Sequence, residues 1–165
     1  MSDNLSKMDM LRLGDLVFPG MISILASYQL VIFAMRVFRI REKVKIPFPQ
    51  TTGNPAFERA FRAQQNTLEF MPVFMPSLWV SSIFFHPIPS SLVGLLYLHS
   101  RLRYFNGYCR SVEERIPGFH LGIKCIIALY GMSAIGMTTT LLRTYVNIDL
   151  AQLALSFAEK YLHLK

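Results

Sequence analysis

Apolar residues fall in four long runs, at 14–38, 57–85, 91–110 and 120–142, separated by short polar or turn-forming breaks. Runs of this length, wound at 1.5 Å per residue, reach across a hydrocarbon layer about 30 Å thick. The first run carries few polar groups, chiefly Ser23, Ser27, Tyr28, Gln29 and Arg36, and no small-residue cleavage site follows it, so it predicts an uncleaved first span. After it the spacing predicts a basic, irregular loop from Arg36 through IPFPQTTGNP, then a helix opened by Pro55, a favoured first helical residue. Pro72 and Pro76 predict kinks in that helix and not its end, because neighbouring helices repair the lost hydrogen bonds. The short turn HPIPS precedes the third run, SVEERIPGF precedes the fourth, and NIDLAQLALSFAEKYLHLK closes the chain as an amphipathic tail. The fold class this predicts is an all-α membrane protein, a single domain over residues 1–165 built as a four-transmembrane-helix bundle.

Two polar stripes interrupt the apolar pattern. In FERAFRAQQNTLEF, Arg59, Arg62, Asn66 and Glu69 step by three, four and three residues and so share one helix face. On the third run Tyr97, Arg101, Tyr104 and Tyr108 step by four, three and four, and Arg115 falls five turns beyond Tyr97 if the helix continues. Ionisable groups at membrane depth cost about 2.5 to 3.5 kcal/mol each and are kept where they pair, meet water or bind a ligand. The cations could hold carboxylates and Glu69 an amine. A plainer reading also stands: arginines marking the watery helix ends, Glu69 paired within the bundle, and tyrosines forming an interfacial belt.

Composition narrows the class further. Hydrophobic residues make up 52% and charged ones 16%, an apolar share above that of soluble folds. The net charge of +7 sits beside the apolar runs and not along one basic helix, which excludes nucleic acid in favour of anionic headgroups or an acidic small molecule. Basic residues flank the breaks after the first and third runs, and none lies in the middle turn; the positive-inside rule then puts both basic breaks in the cytosol and both stripes at one end. Cys109 and Cys125 lack a CxxC partner or a histidine at ligand spacing, so they read as packing residues with no metal site. His86, His99, His120 and His163 share no spacing and carry no assigned chemistry.

FERAFRAQQNTLEF with its continuation SLWVSSIFFH on the second span, and GLLYLHSRLRYFNGYCRS on the third, resemble the membrane glutathione-transferase superfamily of eicosanoid and glutathione metabolism (MAPEG). Within it they are most similar to the leukotriene C4 synthase and type 2 microsomal transferase branch. The resemblance implies a homotrimer of four-helix subunits in the endoplasmic reticulum or nuclear envelope, with glutathione as co-substrate bound between neighbouring subunits. It implies glutathione contacts at Arg41, Arg62, Gln64, Asn66, Glu69, Tyr104 and Tyr108, and a thiol-activating catalytic arginine at Arg115. It also exposes departures: Phe70 replaces a contact tyrosine, Glu42 replaces an arginine proposed in the synthase as proton donor to the epoxide, and the synthase's helix-four tryptophan has no counterpart.

The residue chemistry agrees in kind. Glutathione has two carboxylates, an amine and a thiol, and arginines, a glutamate, amides and phenols supply a partner for each. A guanidinium near sulfur favours thiolate, which could attack a lipid electrophile dissolved in the bilayer, leukotriene A4 being the leading candidate and leukotriene C4 the product. The alternative class is a non-catalytic lipid-binding scaffold resembling the 5-lipoxygenase-activating protein, which shares the YFxGY run. Arg115 together with Arg62 favours the enzyme, since the scaffold branch lacks an arginine at the former place.

Overall fold

The computed structural model describes residues 13–148. A 3₁₀ turn over Leu13–Leu16 leads into α1 (Val17–Lys43), followed by α2 (Pro55–Phe84), α3 (Pro87–Arg110) and α4 (Ile116–Leu141), which a π-helical turn extends over Leu142–Val146. The expected amphipathic tail lies, from residue 149 on, outside the described residues. Segments Gly14–Lys43, Pro55–Phe84 and Ile116–Val146 are long and apolar enough to cross a membrane, so the chain is a multi-pass membrane protein. Helix α3, though 24 residues long, is not among those three. The reason is in its sequence: it spends Tyr97, Arg101 and Tyr104 on contacts inside the bundle, where all three are buried.

The expected basic loop is the first correction. Helix α1 continues through Arg36, Arg39, Arg41 and Lys43, because straight-chain residues lose little rotamer freedom in a helix. Buried Arg41 also anchors this turn: its guanidinium lies 4.4 Å from the Phe57 ring and 4.5 Å from the Phe48 ring, and donates to the carbonyls of Pro47 (3.2 Å) and Gln50 (2.6 Å). The helix then closes with Lys45 in the left-handed region (φ 55°), the Lys45 N–H on the Glu42 carbonyl and the Ile46 N–H on the Arg41 carbonyl.

Helix α2 starts where its sequence says it should. Asn54 Oδ1 accepts from the N–H groups of Ala56 (2.9 Å) and Phe57 (3.3 Å), Pro55 takes the first turn, and Glu58 Oε1 accepts from the Gly53 N–H at 2.7 Å. That last bond needs Gly53 at φ 120°, a conformation side chains oppose. Helix α2 then runs unbroken through Pro72 and Pro76. Only Phe85 and His86 separate it from α3, which starts at Pro87, earlier than residue 91, because His86 Nδ1 caps the Ile88 N–H at 3.2 Å.

Packing falls into two apolar clusters along the bundle. Phe74 stacks on Tyr97 (centroids 4.0 Å) near Leu78, Ile126 and Leu129, and Phe33 stacks on Phe105 (4.2 Å) near Val37, Phe57 and Ala60. Trp79, the single tryptophan, donates to Ser23 Oγ at 3.1 Å and ties α2 to α1. Cys109 and Cys125 are free thiols, the latter buried in the first cluster.

Three successive hairpin reversals place the 44–54 loop and the 111–115 turn at one end of the bundle and the α2–α3 turn at the other. Cysteines introduced at the exposed positions Gln50 and Ile88 are expected to label from opposite sides of sealed microsomes. Labelling from the same side would overturn the predicted orientation.

Candidate functional site

The two polar stripes meet near the end of the bundle that holds the 111–115 turn. A cavity of about 420 Å³ is lined by Arg62 and Asn66 of α2, Tyr104 and Tyr108 of α3, Arg115, and Ile116, Phe119 and His120 of α4. A larger one, about 740 Å³, lies between α1 and α3 with walls mostly of leucine, Tyr28, Gln29, Arg36 and His99 being its polar edges. The convergent charges are in the smaller cavity, so the chemistry belongs there.

Helix periodicity explains the α2 wall. Arg62, Asn66 and Glu69 share one face, and Arg62 Nη1 donates to Glu69 Oε1 at 2.7 Å while Asn66 Nδ2 reaches Glu69 Oε2 at 3.4 Å. Both ends of the ion pair are about half exposed (51% each), so water screens it and its partners exchange readily.

Behind this wall sits Arg101, 1% exposed. Its Nη2 donates to Asn66 Oδ1 and Thr67 Oγ1, both at 2.9 Å, and its guanidinium lies 4.4 Å from the Tyr104 ring and 5.4 Å from that of Phe70. Asn66 is thereby oriented: its oxygen faces Arg101 and its amide hydrogens face Glu69 and the cavity. The sequence put Arg101 on the stripe but gave it no place in the site; a cation one helical turn before Tyr104, facing an asparagine stripe, was the available signal.

Arg115 reaches the cavity by a different route from the one its spacing suggests. Helix α3 stops at Arg110, so the five-turn register from Tyr97 does not exist; Arg115 instead stands at the entry to α4. Two glycines bring it back. A Cβ on Gly107 would collide with the Glu114 carbonyl, and one on Gly118 with the backbone of Tyr104, so the bare backbones let the 111–115 turn and the first turn of α4 lie flat on α3. Arg115 ends with its guanidinium 4.7 Å from the Tyr108 ring centroid, and Phe119 packs on Tyr104 at 6.2 Å.

Not every expected residue joins. Arg41, Gln64 and Glu69 do not line this cavity: Arg41, in the last turn of α1, is bound by carbonyls of the 44–54 loop, Gln64 follows Phe57, the ring under Arg41, by seven residues on the same face of α2, and Glu69 is tied to the lining through Arg62 and Asn66. Tyr97 is buried against Phe74 below the site, and Arg59 lies off its wall. Conversely, His120, given no chemistry from spacing, lines the cavity. Among the described residues no cluster of three or more histidine, cysteine or acidic side chains could hold a metal ion.

Comparison with known proteins gives this geometry a context. The model of the MAPEG family matches residues 19–135. The chain is 37% identical to microsomal glutathione S-transferase 2 of Bos taurus over 139 residues, 84% of this chain and 95% of that one. It is 40% identical to the protein of that name from Mus musculus over the same shares, and 42% identical to leukotriene C4 synthase of Rattus norvegicus over 64% of this chain and 70% of that one.

The close approach at Gly107 generates a stability test. Gly107→Ala forces backbone against backbone and should cost about 1–3 kcal/mol, read as a lowered unfolding midpoint in detergent. Gly131, whose added Cβ would meet nothing within 4 Å, is the control, and Gly131→Ala should hold or raise the midpoint. Equal midpoints for wild type and Gly107→Ala would show that the turn yields without cost.

Proposed function

The chain belongs to the MAPEG family, and we propose that it is a membrane glutathione transferase that conjugates glutathione to a lipophilic electrophile, leukotriene A4 first among candidates, giving leukotriene C4. One observation carries the reading: the cavity gathers two arginines, an amide and two phenols, and the Glu69 carboxylate is hydrogen-bonded to one of those arginines and to the amide, the partner set glutathione requires. The relatives named as glutathione S-transferase and leukotriene C4 synthase support it.

The Arg62–Glu69 pair says how binding would proceed. With no ligand, each side chain satisfies the other at 2.7 Å. A glutathione carboxylate takes Glu69's place on Arg62, and the ligand ammonium takes Arg62's place on Glu69, so one ion pair becomes two. Asn66 stays fixed by Arg101 and keeps an amide donor toward the ligand. Arg115, over the Tyr108 ring, is the cation left to face sulfur; it stabilises thiolate at the entry to α4. The thiolate then attacks an electrophile arriving from the bilayer between helices.

Gln64 fits a site shared between copies. It lies on another side of the subunit from Arg62 and Asn66, so in a homotrimer with glutathione between neighbours it serves the adjacent copy's ligand, while buried Arg41 holds the loop beside it and reaches that ligand only by giving up its loop carbonyls. Endoplasmic reticulum or nuclear envelope residence accompanies that assembly in this reading. Phe70, edge-on to Phe119 at 6.0 Å, and the exposed Glu42 support a broader electrophile range than the synthase's. Purified protein given glutathione with either leukotriene A4 or an activated aromatic chloride, assayed for conjugate, tests the assignment; no conjugate with either ends it.

Arg62→Ala and Glu69→Ala should each weaken glutathione binding by about 2 kcal/mol or more in calorimetric titration, since each leaves a ligand charge unpaired. Unchanged affinity in both variants would return the pair to a purely structural part.

Arg115→Ala should lower turnover by about 100-fold while changing glutathione affinity far less, because its interaction strengthens only as charge appears on sulfur. The ultraviolet thiolate band of bound glutathione should titrate at higher pH in this variant, and Arg115→Lys should restore part of the loss. Wild-type turnover and titration in Arg115→Ala would favour the lipid-binding scaffold.

A further inference from the structure

Opening an epoxide leaves an oxygen that must gain a proton, and the transferase reading supplies no donor for it. The arginine that the resemblance would place beside Arg41 is Glu42, an exposed carboxylate outside the cavity lining. Besides the phenols of Tyr104 and Tyr108, the cavity holds one imidazole, the side chain best suited to the task. His120 lines it with Arg115, Tyr108 and Phe119, and imidazole both takes and gives protons near neutral pH.

We propose that His120 is the acid that protonates the oxygen leaving the electrophile, a catalytic residue of the transferase reaction on whose assignment this inference rests. Its position fits the direction of the chemistry. His120 follows Arg115 by five residues, so it lies about 7.5 Å further along α4, away from the polar end and toward the apolar part of the bundle. Sulfur held near Arg115 and a substrate entering from the hydrocarbon meet between them. The Phe119 ring contacts the imidazole edge-on (centroids 6.1 Å, 69°), and no hydrogen bond among the described residues occupies its nitrogens. The other described histidines are elsewhere: His86 caps α3, and His99 borders the groove between α1 and α3. The charged and titratable groups around His120 are Arg62 from α2, Tyr104 and Tyr108 from α3, and Arg115 and Lys124 on its own chain segment.

The step balances without an added reagent. The thiol of bound glutathione gives its proton to the imidazole as Arg115 stabilises the thiolate. Sulfur attacks the epoxide carbon, the S–C bond forms, the C–O bond breaks, and the electron pair moves to oxygen. Imidazolium returns the proton to that oxygen, leaving a hydroxyl and a neutral imidazole. An aromatic chloride needs no such donor, since chloride departs unprotonated.

That contrast is the test. Wild type, His120→Phe and Tyr108→Phe, each in detergent with glutathione, are assayed with a long-chain alkyl epoxide and with an activated aromatic chloride. His120→Phe keeps a ring against Phe119 and removes the proton, and it should lower the ratio of epoxide to chloride turnover by about 100-fold, the scale of general acid catalysis. Calorimetric glutathione binding by the variant confirms a folded site. A ratio within about twofold of wild type overturns the proposal, as does a ratio collapse in Tyr108→Phe but not in His120→Phe. Wild-type protein that conjugates neither substrate overturns the transferase reading itself, a result distinct from an unchanged ratio in an active enzyme.

Discussion

Burying one guanidinium constrains much of this bundle. A charge taken out of water costs several kcal/mol unless hydrogen bonds and aromatic faces replace its hydration, and Arg101 is withdrawn almost completely. Its replacements come from two helices: Asn66, Thr67 and the Phe70 ring on α2, and the Tyr104 ring on its own. Sliding α2 against α3 by one residue would break both hydrogen bonds and strand the charge. The register between these helices is therefore set by a polar requirement, while stacked rings above and below fill the space. The same arrangement orients Asn66 toward Glu69, so the residue that fixes the packing also prepares a wall of the cavity.

What sequence could reveal depended on whether the signal was periodic. Arg62, Asn66 and Glu69 recur at helical spacing, and Tyr104 and Tyr108 do likewise, so their shared faces were legible before any coordinates. The end of α1 was not, because a run of arginine and lysine reads as solvated loop until Phe48 and Phe57 are seen flanking Arg41. Arg115 came to the cavity as expected but through a chain reversal, a non-local event that no period records. His120 was invisible for a related reason: its meaning lies in which helices α4 packs against. The weak apolar signal of α3 has the opposite cause, since Tyr97, Arg101 and Tyr104 are turned inward yet count against it in any hydropathy window.

Glycine has a specific architectural use here. At Gly107 and Gly118 the backbones of the α3–α4 hairpin touch where any Cβ would intervene, and at Gly136 α4 meets the last turn of α2 in the same way. Helix α4 is thus pressed against its neighbours at both ends. Such contacts use no hydrogen bond or charge, yet they determine how far Arg115 stands from Tyr108 and where Phe119 meets Tyr104. The chemistry of the cavity depends on atoms that have no chemistry of their own.

The bond from Trp79 to Ser23 gives the molecule a built-in optical reporter. The chain has one tryptophan, and it lies thirteen residues beyond Asn66 on α2, about 20 Å from the cavity along the helix axis. Its indole is clasped between α1 and α2 and answers to the separation of those two helices. Emission excited at the indole band therefore follows loss of the helical packing in a spectral window that ligands at Arg62 and Arg115 do not perturb directly, so unfolding and binding can be read from one unlabelled sample.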